Sequence, residues 1–174
     1  MIFKEVVSPV AYVHDRGYVH ADLKWTNVLK TKKGIKLIDF DVARPEGIWL
    51  EAEINNPEQA KVTGTLAYLT PTRIKELRPP VKSDDIFALG LMLFEMLTGE
   101  RAVKFQRKLT WENLEEQLME AHRLLQDRIE ELDVPDQVKS LLRHMIGLFG
   151  NVQFHNCYEI LEAIDTILAE GERS

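Results

Sequence analysis

The chain has 174 residues, 45% hydrophobic and 29% charged, enough for one domain with a buried core. Its formal net charge of −6 argues against a nucleic-acid-binding surface. The lone cysteine, Cys157, excludes an internal disulfide and a cysteine metal cage and fits a reducing cytoplasm; the longest apolar run, Ile86 to Phe94, is too short to span a bilayer.

Residues 2–15, "IFKEVVSPVAYVHD", carry apolar side chains at 3, 6, 7, 10 and 13, which predicts a helix; Pro9 weakens its first half. This amino-terminal stretch holds no sustained apolar run of the signal-peptide kind. Two short β-branched runs follow, "NVLKT" and "IKLIDF", separated by "KKG", and predict a hairpin with Gly34 supplying the turn. Residues 41–72 show no clear periodicity and read as one long functional loop. Helices are expected over 84–97, 110–131, 136–148 and 156–169. Gly99 stops the first, Pro135 opens the third in its first turn, and Asn156 with Glu159 has the spacing of a capping box at the fourth. The expected class is mainly α, with a small β component, in a single domain over 1–174.

The chemistry concentrates in residues 18–41. Asp22 and Asn27 stand five apart, and Asp39 and Asp41 flank Phe40. Here "HADLKWTN" (20–27) resembles the protein-kinase catalytic loop H-R-D-L-x-x-x-N, and "DFD" (39–41) resembles D-F-G. "GTLAYLTPT" (64–72) is similar to the segment ending in A-P-E, and "SDDIFALGLMLFEMLTG" (83–99) to the buried central helix of the kinase C-terminal lobe. The four motifs fall in the family's order with compatible spacings, and the resemblance runs from about residue 3 to 169, nearly the whole chain. The resemblance implies a serine/threonine protein-kinase C-terminal lobe: a helical bundle with a small β-hairpin carrying the catalytic and metal-binding loops. It implies an activation segment over 39–72 and C-terminal helices over 110–170.

The same resemblance implies roles. Asp22 accepts or orients the proton of a substrate hydroxyl, Lys24 meets the transferring phosphate, and Thr65 braces both. Asn27 and Asp39 hold magnesium, Leu29 lies under the adenine of ATP, and His20, Phe40 and Asp85 are structural. Trp25 is expected as a core or interface aromatic at a position often proline, and it also resembles small-molecule kinases of related fold.

Several family features are missing. No two glycines are two apart, so the chain has no G-x-G-x-x-G loop, and the phosphate-gripping lysine and its glutamate have no place. The expectation is a lobe without its N-terminal partner lobe, with an apolar face near Leu29 and Phe40 covered by self-association or a second chain. Ala21 replaces the arginine that reads a phosphorylated activation segment, so phosphorylation at Thr63 is expected to matter little. Asp41 replaces a glycine used for its freedom at positive φ. Thr72 replaces a glutamate, and Phe154 stands where its arginine partner would be, so a buried pair is lost as a unit.

Three readings compete: a kinase acting on protein serine or threonine with Mg-ATP, showing little activity as this chain alone; a catalytically silent kinase-like binding module; and a small-molecule phosphotransferase. Lys24 and "GTLAY" favour the first over the third, and intact Asp22, Asn27 and Asp39 favour it over the second.

Overall fold

The computed structural model describes residues 2–55, 63–110, 112–147 and 151–171. Helix α1 (Ile2–Asp15) runs uninterrupted through Pro9. An interior proline costs about 3 kcal/mol. The opposing term is larger: Phe3, Val6, Val7 and Val10 are fully buried, at about 1.5–3 kcal/mol each.

Strand β1 (Tyr18–Val19) leads into the loop 20–27 and pairs antiparallel with β4 (Arg44–Pro45), Val19 opposite Arg44. Between them β2 (Val28–Thr31) and β3 (Gly34–Leu37) form the expected hairpin, in register Val28 with Leu37 and Thr31 with Gly34. Lys32 and Lys33 make the turn. Thr31 Oγ1 accepts from the Lys33 amide at 3.1 Å and donates to the Gly34 carbonyl at 2.8 Å. Gly34 is thus the first residue of β3, with φ +106°.

The segment 41–72 is not a structureless loop. It contains β4, helix α2 (Glu51–Asn55), a 3-10 turn at Leu66–Tyr68 and the start of helix α3 (Pro71–Glu76). These elements are too short for a periodic signal, which is why the pattern reads as loop; residues 56–62 lie outside the described part of the segment.

Helix α4 (Lys82–Thr98) is the hub, with every residue from Asp84 to Phe94 buried. A helix apolar on all sides belongs inside a bundle. Gly90 permits close packing: a Cβ there would lie 2.7 Å from Ile146 Cγ1. Gly99 ends α4 at φ +70°, donating its amide to the Glu95 carbonyl at 2.9 Å. Around α4 stand α1, α6 (Asp136–Ile146) and α7 (Cys157–Gly171), while α5 (Leu114–Glu130) also joins α3 through a smaller cluster of Leu69, Ile74, Leu114 and Leu118.

Helix α5 begins later than expected because Asn113 is occupied before it: its Oδ1 accepts from the Thr110 amide and its Nδ2 donates to the Lys108 carbonyl. Pro135, with ψ 146°, sits just outside α6 and not in its first turn. At α7, Asn156 Oδ1 accepts from the amides of Tyr158 (2.9 Å) and Glu159 (3.1 Å), and Glu159 reaches back to the His155 amide at 2.8 Å. Among the described residues no helix is long and apolar enough to cross a membrane.

Candidate active site

The loop after β1 is held from beneath. Asp85, in the first turn of α4 and 1% exposed, accepts from the backbone amides of His20 (2.8 Å) and Ala21 (2.9 Å), and its Oδ2 lies 2.9 Å from His14 Nε2. Between these supports Ala21 turns left-handed, φ +64°. His20 is buried: its Nε2 donates to the Ile38 carbonyl at 3.1 Å, and its Nδ1 accepts from the Asp22 amide at 3.4 Å. The two contacts require the proton on Nε2. The imidazole ring packs 4.7 Å from Phe40 and is turned away from solvent.

Above this platform four side chains converge. Asp22 Oδ1 accepts from Thr65 Oγ1 at 2.7 Å, and Asp22 Oδ2 accepts from Lys24 Nζ at 2.7 Å and Asn27 Nδ2 at 3.2 Å. Lys24 Nζ also donates to Thr65 Oγ1 at 2.8 Å. Asn27 Nδ2 further donates to the Asp22 carbonyl at 2.9 Å. Its amide nitrogen is committed to Asp22, so its oxygen faces the other way. Gly64 lets the threonine approach: a Cβ there would stand 2.8 Å from the Ala21 carbonyl oxygen.

The remaining expected residues lie at the rim. The Ile38 amide donates to the Asn27 carbonyl at 3.0 Å, which sets Asp39 beside Asn27, with the Asp39 carboxylate exposed and outside the four-residue network. Asp39 is left-handed, φ +64°, a conformation aspartate tolerates, while Asp41, at the position of the family's glycine, does not have positive φ. Leu29 and Phe40 are 49% and 45% exposed. Among the described residues no group of three or more His, Cys, Asp or Glu could hold a metal ion.

Beside Lys24 and Thr65 opens a cavity of about 490 Å³, lined also by Trp25, Tyr68, Glu95 and Arg101. Tyr68 Oη donates to Glu95 Oε2 at 2.5 Å and accepts from Arg101 Nη1 at 3.2 Å; burial pushes the phenol pKa up. Trp25 is anchored by its indole N–H, which donates to the Met92 carbonyl at 3.1 Å.

Two ionic groups, one buried and one partly so, escaped the sequence reading. Arg78 makes a bidentate pair with Asp84 (2.7 and 3.0 Å), which also accepts from Thr70 Oγ1 and the Val81 amide. This pair ties the chain just after α3 to the first turn of α4. Phe154 packs edge-on to His144. The second group joins Arg44, Glu53, Thr63 and Arg73. Burial raises the Glu53 carboxyl pKa, but hydrogen bonds from Thr63 and the Leu50 amide and the Arg44 guanidinium outweigh it and hold it below the usual range. Ala21 offers Thr63 no guanidinium; the Thr63 carbonyl accepts from Arg73, and the Arg44 guanidinium meets Glu53. Only the pairing "R…E" at nine-residue spacing across a loop could have signalled this, and no periodicity marks it.

A helical lobe whose central helix anchors a hairpin-borne Asp–Lys–Asn loop against a following threonine defines the catalytic-loop half of a kinase-type fold. The family model for the protein kinase domain matches residues 1–152, and the chain belongs to that family. Similar curated proteins include the interferon-induced, double-stranded RNA-activated protein kinase of Rattus norvegicus, 41% identical over 97 residues, covering 55% of this chain and 18% of that protein. Others are serine/threonine-protein kinase PknD of Chlamydia abortus (32% over 114 residues; 56% and 12%) and probable serine/threonine-protein kinase PknB of Lactococcus lactis (34% over 100 residues; 57% and 15%). The matches thus span less than a fifth of the length of these relatives.

Proposed function

We propose that this chain supplies the catalytic-loop half of phosphoryl transfer from Mg-ATP to serine or threonine of a protein substrate. The observation that carries the reading is the closed Asp22–Lys24–Thr65–Asn27 network. Asp22 is the only carboxylate in it and is positioned to accept or orient a hydroxyl proton, at a depth that keeps one approach open. Lys24 supplies positive charge beside it for a transferring phosphate. Thr65 holds both in register. Asn27 Oδ1 and the exposed Asp39 carboxylate are two hard oxygens on adjoining backbone, which fits magnesium, an ion usually bound by one or two protein oxygens plus phosphates. When bound, magnesium would neutralise and orient the phosphates. Leu29 offers an apolar rest for a base, and His20, Phe40 and Asp85 hold the loops.

Three further parts of the reading concern the chain's surroundings. Residues 1–174 act as one lobe; a cytoplasmic setting suits its free buried thiol; and the face near Leu29 and Phe40 is covered by a second chain or by self-association. An apolar groove of about 460 Å³ lined by Pro9, Tyr12, Val13, Tyr18, Leu37 and Phe40 adjoins that face.

The test is a form extended before Ile2 by a compatible glycine-rich lobe and assayed for phosphate transfer to protein serine and threonine. Transfer that falls about 10²–10⁴-fold in Asp22→Ala supports the reading. A folded, inert fusion, or one indifferent to Asp22, gives the field to a silent binding module.

A further inference from the structure

By volume Arg44 is the largest fully buried side chain among the described residues, 1% exposed. A guanidinium stays charged in a protein and needs a buried counter-charge. Its Nε donates to the Val42 carbonyl at 2.9 Å and its Nη1 to Glu53. Arg73, also buried, donates Nη1 to the Thr63 carbonyl at 3.1 Å. Among the described residues, the Nη2 of each guanidinium has no hydrogen-bond partner. Asp84 also lies near Arg73, but its carboxylate is committed to Arg78. Among the described residues, Glu53 is therefore the carboxylate on which the Arg44 side of the cluster depends.

The connections of Glu53 run to the active site. It accepts from the Leu50 amide at 2.9 Å and from Thr63 Oγ1. Thr63 precedes Gly64, seated against the Ala21 carbonyl, and then Thr65, bonded to Asp22 and Lys24. On its other side Arg44 stands opposite Val19, whose next residue, His20, begins the Asp85-held loop. One carboxylate joins both walls of the site.

We propose that Glu53 is a positioning residue: clamped between Arg44 and Thr63, it fixes the segment that delivers Thr65 to Asp22 and Lys24, so the chain's own charge orders that segment. The proposal rests on the function proposed above for its catalytic meaning, but its test does not require activity.

The test is amide hydrogen exchange on the full chain. Glu53→Gln should speed exchange over residues 63–69 by about ten- to a hundredfold, the loss expected for hydrogen bonds to a charged group, while the interior of α4 stays protected. Glu53→Asp should retain most of the protection. Thr63→Glu alone should loosen the segment, by like charge. Combined with Glu53→Ala it should restore protection, because it returns a carboxylate to the same guanidiniums from another element. A role for Glu53 confined to building α2 would not be rescued this way. Unchanged exchange over 63–69 in Glu53→Gln, or a double variant as loose as Glu53→Ala, overturns the clamp. If Glu53→Ala does not fold, Glu53→Gln and Thr63→Glu decide by the same criterion. The expected exchange pattern in a protein that transfers no phosphate in any form would overturn the proposed function and leave the clamp standing.

Discussion

The carboxylate of Asp85 bridges the amides of His20 and Ala21, at 2.8 and 2.9 Å, where Ala21 turns to φ +64°. A left-handed residue with a Cβ costs about 1–2 kcal/mol. Two hydrogen bonds to a buried charge return about 1.5–3 kcal/mol each. The aspartate therefore wins, and the loop carrying Asp22 is set by a helix more than sixty residues further along the chain.

Asp85→Ala should destabilise the protein by about 3–5 kcal/mol, since it strips buried amides and His14 of their shared partner. Urea denaturation measures this. A loss below about 1 kcal/mol would mean that the loop holds itself.

Thr65 should be replaceable by serine and not by valine. Its hydroxyl donates to Asp22 and accepts from Lys24. In an active extended form, Thr65→Val should lower kcat by about ten- to a hundredfold, one or two hydrogen bonds' worth, while Thr65→Ser stays near the parent rate. Equal rates for all three would remove Thr65 from the site.

Acid should weaken the fold through His122. This residue of α5 is 1% exposed, packs 5.5 Å from the Phe87 ring, and is held by burial at a pKa of about 4 instead of 6.5. Between those values the unfolded chain binds a proton that the folded chain refuses. Stability is therefore fully present above about pH 6.5 and falls as the pH drops towards 4, by on the order of 3 kcal/mol in total. Carboxylates titrate there too, so the measurement is the difference between the parent and His122→Gln stability curves. Parallel curves between pH 4 and 6.5 would contradict the assignment.

Arg78→Met should destabilise by about 2 kcal/mol, less than a fully buried pair because the Arg78 side chain is 24% exposed. Asp84 keeps Thr70 and the Val81 amide, which limits the damage. Thermal melting of Arg78→Met and Arg78→Lys would separate bidentate geometry from charge alone. The lysine variant should recover less than half of the loss.

Leu29→Ser with Phe40→Ser should favour the monomer. Both side chains are about half exposed on the face proposed to be covered. Light scattering at rising concentration should show association of the parent and its reduction in the double variant. A parent that stays monomeric throughout contradicts the self-association branch.

Some of this molecule was legible along the chain because the relevant physics is local. The 3.6-residue apolar stripe predicted α1, the uninterrupted apolar run predicted α4, and the β-branched runs around "KKG" predicted the hairpin. Asp22, Lys24 and Asn27 lie within one short loop, so their spacing could be read directly. What tertiary structure alone decided involves partners that no period connects. Pro9 stays within a helix because a buried face outweighs its local cost. Left-handed geometry falls on Asp39 and not on Asp41, next to the Ile38 amide that donates to the Asn27 carbonyl. No period or motif links Arg44 with Glu53, or Arg78 with Asp84, in the sequence. Folding takes Arg44, Glu53 and Asp84 out of water and Arg78 partly so, and only then must each charge find its counter-charge.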